Sequence, residues 1–434
     1  MDTGATAWML ASASLVLLMT PGLALFYGGM SRSKSVLNMM MMSFGAMGVV
    51  GVIYVLWGWS MSFGGASVGG VFGNPLDKFG LSGVIYGPGG DFALNAFHYP
   101  VVIDVAFQVT FAIITVALIS GAIADRTKFS TWMVFVAIWA TLVYFPMAHM
   151  VWNLGLLSAD GPFGGIAAPI DFAGGTVVHI NAGMAGLVLA LIIGKRKGFG
   201  AVPMRPHNLT LTMLGAGLLW FGWFGFNAGS AFGANGTAGL AWVNTTTATC
   251  AAMLGWLLTE KLRDGHATSL GAASGVVAGL VAITPAAGAL SPVGAIALGV
   301  VAGALCALAV GLKYRFGYDD SLDVVGVHLV GGLVGTVSIG FLGTSTGLLY
   351  GGGVNQLVVQ VIIALAAVVF SGVMTTIIGL ALRAAMGWRV SDEAETVGVD
   401  QSEHGESAYE GITAGRFAAE STIGAARTTT EVKA

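Results

Sequence analysis

The sequence predicts an all-α membrane protein with eleven transmembrane helices. Of its 434 residues, 56% are hydrophobic and only 9% are charged, whereas a soluble domain of this size carries about 25% charged residues. The mean hydropathy of +0.83 points the same way. Most of the 67 glycines lie inside apolar runs, where small residues allow membrane helices to approach closely. Most of the chain therefore cannot face water.

Eleven apolar runs are long enough to cross a bilayer, whose hydrocarbon core of ~30 Å requires about 20 helical residues. The first run is a true span rather than a signal peptide, because Arg32 and Lys34 follow it instead of preceding it. The predicted spans lie near 7–30, 37–63, 101–123, 130–151, 172–194, 208–232, 238–259, 269–287, 292–312, 323–343 and 355–386.

The positive charges predict which side of the membrane each loop faces. Lys and Arg collect in the cytoplasmic loops of membrane proteins. With the N-terminus outside, only Lys78 of the basic residues falls in an outer connection. We therefore expect an N-out, C-in topology. The expected location is the cell inner (plasma) membrane.

The composition changes abruptly after residue 386, where many acidic residues and no apolar run follow. Residues 1–386 are predicted to form the transmembrane domain and residues 387–434 a cytoplasmic tail, whose Thr- and Ala-rich distal part is expected to be disordered. Two interpretations of the tail remain open. It is a disordered acidic segment, or its residues 396–409 pack under the inner loops, which offer Lys195, Arg196, Lys197 and Lys313 as counter-charges. The net charge of −3 gives no indication of a nucleic-acid partner.

A short pattern, Asp-x7-His-x3-Gly, occurs twice, at Asp171–His179 and at Asp320–His328. Eight helical residues span ~12 Å, so each Asp is placed at a helix start and each His deep in the membrane. The two copies begin at opposite faces, which predicts two inverted five-helix repeats followed by a final long helix. Helix capping is an equally weighted role for both Asp residues, and Asp323 is a further candidate cap of the tenth helix.

The two histidines are predicted to form a pair in a pore. Ionisable groups are rare in a bilayer and usually face a bundle interior or a polar path, and pseudosymmetry would bring His179 and His328 together near the midplane. A purely structural pair is the alternative. A metal site is not expected, because no third ligand lies at ligand spacing on either helix.

Several segments together resemble those of a known family. The matching segments, in chain order, are PGLALFYGG (21–29), FQVTFA (107–112), AHMVW (148–152), DFAGGTVVHINAG (171–183), WFGFNAGSA (223–231), ITPAAG (283–288) and DVVGVH (323–328). They are similar to the signature segments of the ammonium transporter (Amt/Mep/Rh) family, bacterial Amt type. The tail segment GVDQSEHGESAY also resembles that family's C-terminal motif.

The resemblance implies a role for each of several positions. An outer site formed by Phe111, Trp152 and Ser230 would recruit NH4+, with Asp171 supporting the vestibule. Phe111 and Phe226 would stack as a gate, and below them His179 and His328 would line the pore. The remaining pore or structural candidates are Trp223, Thr284, Asp320 and Asp323.

The resemblance also implies a mechanism and partners. The protein would deprotonate NH4+ and conduct NH3, with or without a separately relayed proton, and it would work without a cofactor. It would sit in the lipid bilayer as a homotrimer, and a PII-type regulatory protein would bind its cytoplasmic face. Methylammonium would serve as a substrate analogue.

Two other functions remain open at this point. One is an ammonium sensor that signals through the tail, although the tail is too short for an appended signalling enzyme. The other is an intramembrane enzyme, which lacks support because no nucleophile–base pair or metal triad is evident. Without the resemblance, Trp152 is interpreted as an interfacial anchor, and Phe111 and Phe226 are interpreted as packing residues.

Overall fold

The computed structural model describes residues 1–409 and is a bundle of long helices. The predicted disorder of the distal tail falls on residues 410–434, outside the described part. The membrane-length helices are α1 Thr3–Met30, α2 Val36–Gly64, α3 Val101–Ile123, α4 Phe129–Trp152, α5 Gly175–Ile193, α6 Leu209–Gly229, α7 Gly236–Asp264, α8 Ser269–Ala286, α9 Pro292–Phe316, α10 Val325–Leu342 and α11 Asn355–Ala385.

The prediction of eleven spans is confirmed, because each predicted span overlaps one of these helices. Ten of the helices in the described part are long and apolar enough to cross a membrane. The remaining one, α7, is 29 residues long but less apolar, since it contains a run of threonines and ends in charged residues. A two-stranded hairpin, β1 Ser67–Val68 and β2 Phe72–Gly73, lies in the connection between α2 and α3.

The first and sixth helices pack tightly and antiparallel. Three glycines of α6 each lie against a residue of α1: Gly215 against Phe26, Gly222 against Met19 and Gly229 against Ser12. The residue numbers rise along one helix as they fall along the other, so the helices run in opposite directions. Small residues at such interfaces let backbones approach closely in lipid.

The fifth and tenth helices form a second antiparallel pair. Gly183 of α5 lies against Leu329 of α10, and Gly332 of α10 lies against Ile180 of α5. Both pairs join helices at equivalent positions of the two five-helix halves. The predicted inverted repeat is therefore confirmed.

Loops from both halves meet at one end of the bundle, which we call the basic face after its residues Arg32, Arg126, Arg196 and Lys313. The Arg196 guanidinium contacts Asp319 at 2.8 Å and Asp125 at 3.0 Å. The buried Arg126 side chain donates to the Gly194 carbonyl at 2.9 Å and to the Asp319 carbonyl at 2.7 Å. These bonds tie together the loops that follow α3, α5 and α9.

The arginines and aspartates of this cluster stay charged because each is paired with a group of opposite charge. Burial lowers the pKa of Arg126 to about 10, so the guanidinium stays protonated at neutral pH. Burial alone would raise the pKa of Asp319, but hydrogen bonds from Arg196 and the nearby charge of Arg126 outweigh it and leave the pKa below its usual value. Removing one partner of such a buried pair typically costs about 3–5 kcal/mol.

The described part of the tail contains two short helices, α12 Asp392–Val397 and α13 Val399–His404, and contacts the basic face. Of the predicted counter-charges, Lys197 contacts Asp392 at 3.1 Å, and the Lys195 carbonyl accepts from Arg389 at 2.6 Å. Arg196 and Lys313 instead bind carboxylates of the transmembrane domain. The tail is thus attached partly by charge and partly by hydrogen bonds to the backbone.

Two tail carboxylates cap the starts of membrane helices. Asp400 accepts from the backbone N–H groups of Leu37 at 3.0 Å and Asn38 at 2.8 Å, in the first turn of α2. Glu403 accepts from the Phe129 N–H at 2.8 Å, at the start of α4. Neither helix has a side-chain cap from its own N-cap residue, so the tail supplies acceptors for N–H groups that a helix leaves unpaired.

The close packing of α1 on α6 predicts different effects of alanine at two glycines on α6. A Cβ atom at Gly215 would lie 2.3 Å from the Phe26 nitrogen, whereas a Cβ atom at Gly217 would meet nothing within 4 Å. Both substitutions gain the same helix propensity, so the difference isolates packing. We expect Gly215→Ala to be less stable than Gly217→Ala by about 1–3 kcal/mol, measured as thermal unfolding in detergent. Equal stability of the two variants would contradict this packing.

Candidate transport pathway

A cavity of about 300 Å³ opens at the end of the bundle opposite the basic face. We call it the vestibule. Its walls are mostly aromatic, and the lining residues are Trp59, Phe63, Phe97, Asp104, Gln108, Phe111, Trp152, Phe172, Ser230 and Phe232.

The three residues expected to recruit the cation, Phe111, Trp152 and Ser230, all line this cavity. The rings of Phe111 and Trp152 are nearly perpendicular, with centroids 6.0 Å apart. The Trp152 indole is fixed by its N–H, which donates to the Asp171 carbonyl at 2.9 Å. The Ser230 hydroxyl donates to the Phe226 carbonyl at 2.8 Å, so its oxygen lone pairs remain as acceptors. Aromatic faces and a hydroxyl acceptor together suit a small cation that donates hydrogen bonds.

The floor of the vestibule is a pair of stacked rings. The centroids of Phe111 and Phe226 lie 4.1 Å apart with an interplanar angle of 16°, and both side chains are buried. The two rings come from α3 and α6, so closure depends on how these helices pack. Anything that passes must displace at least one ring.

The two histidines predicted to line the pore meet below these rings. The Nδ1 atoms of His179 and His328 lie 3.3 Å apart, and both side chains are buried. Because two ring nitrogens share one hydrogen bond, one must carry the proton and the other must accept it. The Nε2 atom of His179 is buried and has no hydrogen-bonding partner among the described residues.

The space around the histidines is very small. The cavity beside them measures about 10 Å³, close to the minimum for one water molecule. The Trp223 ring stacks on His179 with centroids 5.5 Å apart, and its N–H donates to the Thr284 hydroxyl at 2.8 Å. Trp223 and Thr284, predicted as pore or structural candidates, therefore orient His179 from one side.

Both histidines lie in π-helical turns. The π-helical segment Gly175–Ile180 contains His179, and Val325–Leu329 contains His328. A π-helical turn widens the helix locally and often occurs at functional sites. The repeated Asp-x7-His pattern predicts the pairing of the histidines but not this local geometry.

The aspartates of the repeat act as helix caps. The Asp171 carboxylate accepts from the N–H groups of Gly174 at 2.7 Å, Gly175 at 2.6 Å and Thr176 at 2.9 Å. Asp320 accepts from Val325 at 2.7 Å in the same way. The capping role considered for both is therefore present in the structure.

Asp323, the other candidate cap of the tenth helix, makes a different contact. It pairs with the Lys313 ammonium at 2.6 Å, and its backbone adopts a left-handed conformation with a φ of 64°. It also lines a cavity of about 10 Å³ that reaches His328 from the basic face. Asp323 therefore lies on that side of the histidine pair.

Two polar residues of the vestibule wall, Asp104 and Gln108, are absent from the sequence predictions. Both precede Phe111 on α3, at spacings of seven and three residues. Residues three, four and seven apart share one helix face, so the spacing to Phe111 was a usable signal. The aromatic residues Trp59, Phe97 and Phe232 were also missed, because they reach the vestibule from separate segments.

A family model described as "Ammonium Transporter Family" matches residues 7–409. The chain belongs to the ammonium transporter family. This is a family of transporters rather than enzymes.

Curated relatives support this assignment along 94% of the chain. An ammonium transporter of Mycobacterium tuberculosis is 57% identical over 435 aligned positions, which cover 94% of this chain and 91% of the relative. An ammonium transporter of Aquifex aeolicus is 48% identical and covers 94% of both proteins.

Solved structures show the same fold. The crystal structure of Saccharomyces cerevisiae Mep2 superposes with a TM-score of 0.80 at 34% identity, covering 90% of this chain and 91% of that one. A structure titled "Sensor Amt Protein" superposes with a TM-score of 0.83 at 28% identity, covering 92% and 98%. The helix bundle described above is therefore that of the Amt/Mep membrane transporters.

Proposed function

We propose that this ammonium transporter recruits NH4+ in the vestibule, removes its proton and conducts NH3 past the histidine pair toward the basic face. The observation that carries the proposal is the narrow, closed passage below the vestibule. Stacked rings 4.1 Å apart close its entrance, and about 10 Å³ of space lies beside the histidines. A hydrated cation does not fit such a passage, whereas a small neutral molecule fits after a modest ring movement.

The energetics of desolvation favour a neutral species. Moving an unpaired ion into a medium of low dielectric costs tens of kcal/mol in the Born limit. NH4+ avoids this cost by losing a proton, and K+ has no such route. Selection therefore arises from the chemistry of the substrate rather than from its size.

The histidine pair is suited to a neutral hydrogen-bonding substrate. One imidazole donates and the other accepts in the bond between their Nδ1 atoms, which leaves both Nε2 atoms for contacts with the substrate. The unpaired, buried Nε2 of His179 is such a group. A proton removed in the vestibule is either released outside or relayed through imidazoles, which can both donate and accept.

Replacing either histidine is expected to change selectivity more than assembly. In His179→Ala or His328→Ala, water can fill the vacated volume, so a hydrated cation gains a path. We expect altered proton-coupled ammonium flux or a measurable K+ conductance in proteoliposomes. The control is His266→Ala, which changes an exposed residue in the connection between α7 and α8.

The outcome distinguishes a pore pair from a structural pair. Normal ammonium flux with complete K+ exclusion in both variants would remove the histidines from the mechanism. Loss of flux and of assembled protein together would instead favour a structural role.

A second candidate function is an ammonium sensor that signals through its tail. It is favoured by the similarity to the protein titled "Sensor Amt Protein" and by the carboxylate contacts between the tail and two membrane helices. Uptake of labelled methylammonium into proteoliposomes separates the two functions. A receptor that does not transport would give no uptake above empty liposomes.

We further propose the setting in which the transporter works. The concentration of basic residues at one face favours placement of that face, and of the C-terminus, in the cytoplasm of a cell with the protein in its plasma membrane. Family membership favours a homotrimer in the lipid bilayer and a PII-type regulatory partner. The tail on the basic face is where such a partner would act on the helices.

The caps supplied by the tail predict a regulatory effect of Asp400. Asp400→Asn weakens the acceptor at the start of α2, so we expect faster proteolysis of the tail and reduced methylammonium uptake. Glu406→Gln changes an exposed tail residue by the same charge and is the control. If both variants transport and resist proteolysis like the unmodified protein, the tail does not support the transport domain through this contact.

A further inference from the structure

One face of α3 presents two polar side chains between the vestibule mouth and the stacked ring of Phe111. Asp104, Gln108 and Phe111 follow at spacings of four and three residues and all line the vestibule. Since a helix rises 1.5 Å per residue, the stripe extends roughly 10 Å from the mouth to the floor. Its polar groups lie outward of the aromatic site described above.

Gln108 carries an unpaired acceptor in this stripe. Its side chain is only 7% exposed, and its Oε1 atom has no hydrogen-bonding partner within residues 1–409. A buried acceptor without a partner is costly, because it has lost its hydrogen bonds to water and gained none in return. A ligand that donates hydrogen bonds would remove that cost.

Asp104 is the charged residue of the vestibule lining. Its carboxylate accepts from the Tyr99 hydroxyl and from the Asn95 amide, the latter at 2.7 Å. No salt bridge to it occurs in the described part of the chain. Asp171, the nearby acidic residue, directs its carboxylate to backbone N–H groups instead.

We propose that Asp104 and Gln108 form an outer subsite for a small monovalent cation that donates hydrogen bonds. The carboxylate attracts the cation into the cleft, and the Gln108 oxygen accepts a hydrogen bond from it on the way to the aromatic rings. A cleft lined by one sign of charge, with walls of low dielectric, raises the local concentration of counter-ions. The inference rests on the proposed transport of ammonium and names two residues that would set its apparent affinity.

Asp104 also holds a turn at the vestibule mouth. Asn95, which donates to Asp104, accepts from the Phe97 N–H at 2.9 Å. Phe97 in turn stacks on Phe232 with centroids 5.3 Å apart. An effect of Asp104 could therefore arise from this turn, and the variants must separate charge from structure.

The test measures initial rates of methylammonium uptake into proteoliposomes over a range of concentrations and ionic strengths. Asp104→Asn keeps the shape of the side chain and removes its charge. We expect its apparent KM to rise about 3- to 10-fold with the maximal rate unchanged, and the dependence of KM on ionic strength to flatten. Gln108→Leu keeps the charge and is expected to raise the apparent KM about 2- to 10-fold.

Two matched variants serve as controls. Tyr99→Phe removes the hydroxyl bound to Asp104 but keeps the charge, so we expect the ionic-strength dependence of the unmodified protein. Asp91→Asn removes an exposed charge from the same connection, outside the vestibule lining, and we expect an unchanged KM.

Several outcomes would overturn the subsite. An unchanged KM in both Asp104→Asn and Gln108→Leu would do so, as would equal effects of Asp104→Asn and Asp91→Asn. If Tyr99→Phe reproduces the Asp104→Asn result, the carboxylate acts through the turn. If Asp104→Asn does not assemble, the subsite is tested by Gln108→Leu and by the unmodified protein. An unchanged KM in Gln108→Leu, together with a KM of the unmodified protein that does not depend on ionic strength, would overturn it. Absence of uptake by the unmodified protein would instead contradict the proposed transport function itself.

Discussion

A cation loses its water when it enters a bilayer, and the energetic cost of that loss underlies the pathway proposed for this protein. The polar side chains of the vestibule lie on the outer side of the stacked rings of Phe111 and Phe226. Beyond the rings, the two imidazoles are the principal polar groups beside an apolar cavity of about 10 Å³. Such a pathway favours a substrate that can become neutral and still form hydrogen bonds.

The narrowness of the passage depends on close backbone packing. Glycines bring α1 against α6 and α5 against α10, and these pairs carry Phe226 and the two imidazoles that line the small cavity below the rings. The first-turn N–H groups of a helix have no partner within the helix itself, and carboxylates bind several of them here. Asp171 and Asp320 accept such hydrogen bonds within the transmembrane domain, and Asp400 accepts one from α2 on behalf of the tail.

Much of the fold could be predicted from the sequence, because a bilayer imposes a simple length and polarity on each span. The repeated Asp-x7-His pattern also predicted which helices pair. Asp104 and Gln108 were missed although their spacing places them on the same helix face as Phe111, because that spacing does not show that the face borders a cavity. The cap that Asp400 provides to α2 joins residues more than 360 positions apart, and local sequence contains no signal for such a contact.

The measurement that tests the central claim most directly is a comparison of ammonium and K+ movement through the unmodified protein. Purified protein in liposomes would be given equal inward gradients of methylammonium or K+, and flux would be followed with a radiolabel and with a K+-sensitive dye. The account predicts methylammonium uptake with K+ flux no greater than that of empty liposomes. Movement of K+ at a rate comparable to methylammonium would show that charged ions pass the rings and histidines, and would contradict the account.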